Sequence, residues 1–310
     1  MAVVNVEHEA IRFVVGDLKD IGFKEFTMKH LRHDYHVTDF WANDDITFKL
    51  KKGDMLGIIG SNGAGKSTLL KAISGVLEPT RGRVTVKGKI AALLELTAGF
   101  DNDLSVRENT YLRGALLGYT RSFISEKYDS IIEFSELQEF QDRKYGQLSS
   151  GMKSRLAFSV ACLVEPDILI LDEVLAVGDG AFRRKSEEKI REILSRGITG
   201  LLVTHSVGQV RELCNKVLWL DHGQQIAFGS KVETICNAYE EFLYTKKTPK
   251  DDEDMQHMSE SWIERLAKET ARKQEAARRR LMNDLSSKDA REVYAKALEI
   301  VEGMDLTLIK

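Results

Sequence analysis

The chain has 310 residues, 43% hydrophobic and 30% charged, with a formal net charge of −3. This is the balance of a globular protein, not a disordered or fibrous one, and it offers no broad positive field for nucleic acid. Cys162, Cys214 and Cys236 lack any C-x-x-C spacing, which fits buried thiols of a reducing compartment better than a zinc site.

Residues 1–19 carry acids and no continuous apolar core, so a signal peptide is not expected. No later run approaches the roughly 18–20 apolar residues of a membrane span. A cytoplasmic protein is expected, with any membrane role borrowed from a partner chain. Residues 11–15 are an apolar start, and Leu18, Ile21, Phe23, Phe26 and Leu31 follow near helical spacing. Residues 46–50 and 55–59 read as strands, with Lys51-Lys52-Gly53-Asp54 as a hairpin turn between them.

Next come Gly60, Ser61, Asn62, Gly63, Ala64, Gly65, Lys66, Ser67 and Thr68, a complete G-x-x-x-x-G-K-[ST] loop between an apolar strand and a helical run at 69–73. The glycines let successive N–H groups point at phosphate oxygens, and the helix adds its dipole. Lys66 is placed to reach the β- and γ-phosphates, and Ser67 to offer a hydroxyl to Mg²⁺. The loop predicts binding of a nucleoside triphosphate.

Residues 83–86 and 90–94 continue the β pattern, and the stretch from Ser105 to Ala161 is helical, with Ser149-Ser150-Gly151 as an interrupting loop. Residues 168–171 are a short apolar run of the kind buried in parallel sheets, ending in Asp172-Glu173. At that strand end Asp172 is placed to hold Mg²⁺ and Glu173 to polarise the attacking water. After a helix at 183–195, residues 201–203 repeat the pattern and end in Thr204-His205; His205 is placed to hydrogen-bond the γ-phosphate. Strands at 217–220 and 225–228 flank Asp221-His222-Gly223. The alternation is that of an α/β layer.

Leu148-Ser149-Ser150-Gly151-Met152 resembles the signature loop of ATP-binding cassette (ABC) ATPases, Leu-Ser-Gly-Gly-Gln leading into a helix. Ser149 and Gly151 match, whereas Ser150 and Met152 replace the usual glycine and glutamine. A hydroxyl and bare backbone at a helix N-terminus still form an anion site, and the same residues also fit a plain N-cap.

The resemblance implies an α/β P-loop NTPase with the ABC ATPase fold: a RecA-like core, an antiparallel β subdomain and a helical subdomain at about 96–162. Residues 1–244 would form the nucleotide-binding domain, 245–258 a charged linker and 259–310 a short helical C-terminal tail, with helices at 259–285 and 289–301. It further implies ATP and Mg²⁺ as cofactors and a homodimer of cassettes. Ser149, Ser150 and Gly151 would close in trans over the partner's bound nucleotide, and Asp179 would be the D-loop acid crossing the dimer. An aromatic near the N-terminus would stack on adenine: Tyr35 is the first choice, with Phe40 and Trp41 as rivals.

Glu95 stands where ABC transporters usually carry a glutamine, and as a carboxylate it can still ligate Mg²⁺. Glu95, Phe40-Trp41-Ala42, the run from Leu171 to Asp179 and Trp219-Leu220-Asp221-His222-Gly223 look like the exporter ATPases for O-antigen, capsule and teichoic acid. That branch implies ATP hydrolysis driving export of a lipid-linked polymer through a separate integral-membrane permease. The chain would sit peripherally on the cytoplasmic face of the membrane and bind no nucleic acid. The alternative is a soluble, non-transport ABC ATPase. Arg278-Arg279-Arg280 reads as a solvated helix face before it reads as an anionic-lipid contact.

Overall fold

Alternation of apolar and polar residues builds the first layer. β1 (Ala2–Gly16) and β2 (Val37–Lys51) pair antiparallel, and β4 (Arg81–Val86) adds to the other edge of β1. Val4, Val6, Ile46, Phe48 and Leu50 are buried while Lys49 between them is exposed, the period of two expected of a half-covered sheet. The structure, a computed structural model, describes residues 2–16, 37–92, 99–163, 166–172 and 180–284.

The second layer is read from continuously apolar runs. β3 (Met55–Ile59) and β7 (Thr199–Val203) are buried at every position, as parallel strands covered on both faces are. β5 (Ile90–Ala92), β6 (Ile168–Asp172), β8 (Lys216–Asp221) and β9 (Gln224–Gly229) complete a sheet ordered β4-β1-β2-β9-β8-β3-β7-β6-β5. On one side Leu56, Ile58, Ile170 and Leu201 meet Leu69 and Leu70 of α1 (Lys66–Ile73). On the other Leu169, Leu171, Leu202 and Trp219 meet residues of α4 (Ser150–Leu163), α5 (Gly180–Ser195), α6 (Val207–Leu213) and α7 (Val232–Thr245).

Two expectations need correction. The turn at Lys51 forms, with Asp54 N–H donating to Lys51 O at 3.1 Å, but it is not a hairpin, because β2 and β3 are not sheet neighbours. An alternating strand and a fully apolar one belong to layers of different cover, so the turn passes the chain from one to the other. The tail helix, α8 (Asp252–Asp284), begins before the expected Ser259. Asp251 Oδ1 accepts the Asp254 N–H at 2.9 Å, and Asp252, Glu253 and Asp254 fill the first turn, where acids favour the helix dipole. What reads as a linker is in part a helix N-terminus. The expected helix at 289–301 lies outside the described residues.

A separate helical segment, α2 (Val106–Leu116), α3 (Arg121–Ser135) and α4, forms around its own apolar cluster of Val106, Ile131, Leu156 and Val160. Ser105 and Glu108 form a capping box at its start. Buried Asn109 fixes the entry by donating to Asp101 O at 2.8 Å and accepting the Asp101 N–H at 2.8 Å. Cys162, Cys214 and Cys236 are buried and unbridged; burial pushes the thiols of Cys214 and Cys236 up to about 12 and that of Cys162 up as well. No helix among the described residues is long and apolar enough to cross a membrane.

Candidate functional site

The loop between β3 and α1 borders a cavity of about 350 Å³ lined by Phe40, Asn62 to Thr68, Val203 and His205. Its shape depends on glycine at two positions. Gly60 has φ +153°, and a Cβ there would lie 2.3 Å from Leu220 O. Gly65 has φ +100°, and a Cβ would lie 2.2 Å from Asn43 Oδ1 and 2.5 Å from Ala42 O. Lys66 is buried, and its ammonium donates to Gly60 O at 2.7 Å and Ser61 O at 2.9 Å. The cation is thereby held within the loop whose phosphate it is placed to meet. Ser67 is exposed to the same cavity.

Register brings the other strand ends alongside. Asp172, the last residue of β6, pairs with Val203 of β7, and Val203 pairs in turn with Ile58 of β3. His205, two residues past Val203, is exposed and lines the cavity. Thr204 braces its turn, accepting the Ser206 N–H at 3.0 Å and donating to Gln209 Oε1 at 2.8 Å, and Ser206 caps α6. Of Asp172 only the backbone is described, and Glu173, Asp179, Glu95 and Tyr35 lie outside the described residues.

Of the two described aromatics, Phe40 lines the cavity with 54% of its surface exposed. Trp41, one residue on and so on the opposite face of β2, instead lies under the Arg81 guanidinium at 4.7 Å. Of the loop expected at Ser149-Ser150-Gly151, only Ser149 lies outside a helix: α4 begins at Ser150, and Ser149 Oγ accepts the Met152 N–H at 3.2 Å. The signature segment is a capped helix start, with Ser149 and Ser150 exposed.

Three supports of the loop are absent from the sequence reading. Ser61 Oγ donates to Asp221 Oδ1 at 3.1 Å, and from the turn after Asp221 the Gly223 N–H donates to Ala64 O at 3.2 Å. The third is Asn43, buried behind Gly65, whose Nδ2 donates to both oxygens of buried Glu9 at 3.1 and 3.2 Å. Burial drives the Glu9 carboxyl up against the opposing effect of Asn43. A carboxyl raised on folding favours its protonated form, so its contribution to stability is full below the unfolded value and is lost as pH rises through the folded one. Glu9→Gln is therefore expected to stabilise the chain by about 1–2 kcal/mol at pH 8 and by less at pH 5. Urea melts at the two pH values measure this; a variant weaker than wild type at pH 8 would show that the charge is compensated.

Residues 43–176 match the ABC transporter family. The O-antigen export system ATP-binding protein RfbB of Klebsiella pneumoniae is 46% identical over 204 residues, which are 66% of this chain and 82% of that protein. The chain belongs to the ABC transporter family.

Within that family the teichoic acids export ATP-binding protein TagH of Lactococcus lactis subsp. lactis (strain IL1403) is 43% identical over 217 residues, 70% of this chain but only 46% of that protein. Among solved structures, an ATP-binding subunit of an ABC transporter aligns with TM-score 0.59 and 21% identity over 84% of this chain and 99% of its own. A dimeric cassette bound to ADP and Pi aligns with TM-score 0.56 and 19% identity over 73% and 98%. The ABC ATPase fold implied by the signature resemblance is the fold of this chain. The chain is an ABC ATPase.

Proposed function

We propose that the chain is the ATP-hydrolysing subunit of an exporter that carries a lipid-linked cell-surface polysaccharide or teichoic acid across the cytoplasmic membrane. The observation that carries this is similarity to RfbB over most of that protein's length, in a chain whose phosphate loop and His205 border one cavity. Residues 1–244 serve as the nucleotide-binding domain, with the helical subdomain at about 96–162 facing a separate permease. The relatives at hand are export proteins, so a soluble, non-transport role is not favoured.

In the site, Lys66 and the loop N–H groups hold the β- and γ-phosphates. Ser67 at the start of α1 and Asp172 at the end of β6 are hard oxygen donors that suit Mg²⁺, which would neutralise phosphate charge when bound. Glu95 is a further oxygen donor for that ion. Glu173 takes the proton of the attacking water, and His205 orients the γ-phosphate. Ser149, Ser150 and Gly151 of a second copy close over that phosphate, with Asp179 at the seam, so two chains complete each site.

Phe40, which lines the cavity, stacks on adenine in this reading. Phe40→Ala is expected to raise the KM for ATP about tenfold, within the 1–3 kcal/mol that base stacking contributes, whereas Trp41→Ala leaves it unchanged. An unmoved KM in Phe40→Ala would return the role to Tyr35. The export reading is tested by expressing the chain with the membrane protein encoded beside it. Co-purification with that protein, and ATP hydrolysis stimulated by it in vesicles, is the expected result. ATP hydrolysis that the neighbouring membrane protein neither binds nor stimulates would overturn it.

A further inference from the structure

Helix α7 is gripped from two directions by arginines that touch neither the cavity nor each other's partners. From α6, which starts directly after the His205 turn, Arg211 donates through Nε to Glu233 Oε2 at 3.0 Å and through Nη2 to Glu240 Oε2 at 2.6 Å, both on α7. From α8, Arg265 forks onto Glu241 of α7, Nε to Oε2 at 3.0 Å and Nη2 to Oε1 at 2.8 Å. Asn237 of α7 joins the two grips, accepting from Arg211 Nη2 at 2.6 Å and donating to Ser259 Oγ of α8 at 3.2 Å.

The Arg265–Glu241 pair is not a surface pair of negligible weight. The Glu241 side chain is 5% exposed, Ser259 is 4% exposed, and the Arg265 guanidinium also lies over the Tyr244 ring at 4.0 Å. A planar fork onto a buried carboxylate is the geometry in which loss of one partner leaves the other charge uncompensated. On the same helix, two residues from both Asn237 and Glu241, Tyr239 packs edge-on against Trp219 at 5.5 Å, and Trp219 pairs with Ile59 at the end of β3, next to Gly60.

We infer that α8 is a brace for the nucleotide site: docked through Arg265 and Ser259, it holds α7 so that Arg211 keeps the His205 turn, and Tyr239 the Trp219–Ile59 pairing that leads into Gly60, in register. Arg265, Asn237 and Arg211 are then positioning residues, acting through α7 and not on nucleotide. A tail that merely covered apolar surface would need only Met255 and Met258 against the core. The polar chain from Ser259 through Asn237 to Arg211 makes tail docking and the placement of α6 one event. Anything that captures the exposed far half of α8 would thereby bias turnover. The inference rests on the ATPase reading only for the role given to His205.

The test uses the full-length chain and four variants: Arg265→Ala, Asn237→Ala, Arg265→Lys, and the swap Glu241→Arg with Arg265→Glu. Hydrogen exchange at residues 203–213 and 57–66 is read by mass spectrometry beside ATP kinetics. Arg265→Ala and Asn237→Ala are expected to speed exchange in both segments about fivefold, and to lower kcat about three- to tenfold with KM unchanged. Arg265→Lys, which keeps charge but not the fork, falls between, and the swap recovers both readouts. Faster exchange confined to residues 232–284, with kcat unchanged, would overturn the brace. Should Arg265→Ala fail to fold, Asn237→Ala and Arg265→Lys decide by the same criteria. A wild-type chain without turnover would remove the ATPase reading, while the exchange pattern would still decide the brace.

Discussion

Glu173→Gln is expected to leave ATP binding within about twofold of wild type while cutting turnover on the order of 10²–10⁴-fold. The amide keeps the size of the carboxylate but cannot take a proton from water. The expectation follows from position: residue 173 succeeds Asp172, the end of β6, whose partner Val203 stands two residues before cavity-lining His205. The carboxyl end of parallel strands is where α/β folds place their chemistry. Equilibrium binding of a fluorescent ATP analogue and steady-state phosphate release separate the two quantities. Turnover equal to wild type would assign the proton transfer elsewhere, and a large loss of binding would mean that Glu173 holds the nucleotide instead.

Gly65→Ala is expected to cost about 3–5 kcal/mol of stability, or else to distort the loop and weaken ATP binding on the order of 100-fold. Two costs add here. The left-handed φ of +100° is strained for any residue with a Cβ, and the new methyl would lie 2.2 Å from Asn43 Oδ1 and 2.5 Å from Ala42 O. Neither acceptor moves freely, since Asn43 is anchored on buried Glu9 and Ala42 O is backbone. Gly63→Ala is the control. Its φ is +79°, but a Cβ there meets nothing within 4 Å, so only the conformational cost of about 1–2 kcal/mol remains. Thermal melts and analogue binding of the two variants compare them directly. If Gly65→Ala matches Gly63→Ala in both, the contact with Asn43 carries no weight.

Much of this was legible because the relevant patterns are local. The phosphate loop declares itself by spacing, and the strands ending at Asp172 and Val203 by unbroken apolar runs that only a doubly covered sheet accommodates. What misled were features whose meaning depends on distant cover. Lys51 to Asp54 turns the chain as expected, yet a turn does not say which layer the next strand joins. Acids at 252–254 look like a solvated linker until a helix is seen to use them as its first turn. The supports of the site were invisible for a different reason. Ser61 and Asp221 lie 160 positions apart, and Arg211 acquires its partners only when α6 and α7 lie side by side. Spacing to Lys66 does not choose among Tyr35, Phe40 and Trp41, but neighbours in β2 face opposite ways, and of the latter two only Phe40 lines the cavity.

The buried cysteines bear on how the working cycle can be watched. Thiolates attack maleimides and thiols do not, and burial keeps Cys162, Cys214 and Cys236 protonated near neutrality. The native chain is thus chemically silent to such labels. A single cysteine introduced at exposed Gln147, just ahead of the signature helix, carries a fluorophore to one known address. Distances between two labelled copies then become a ruler for cassette closure, read in solution without first deleting the native sulfur.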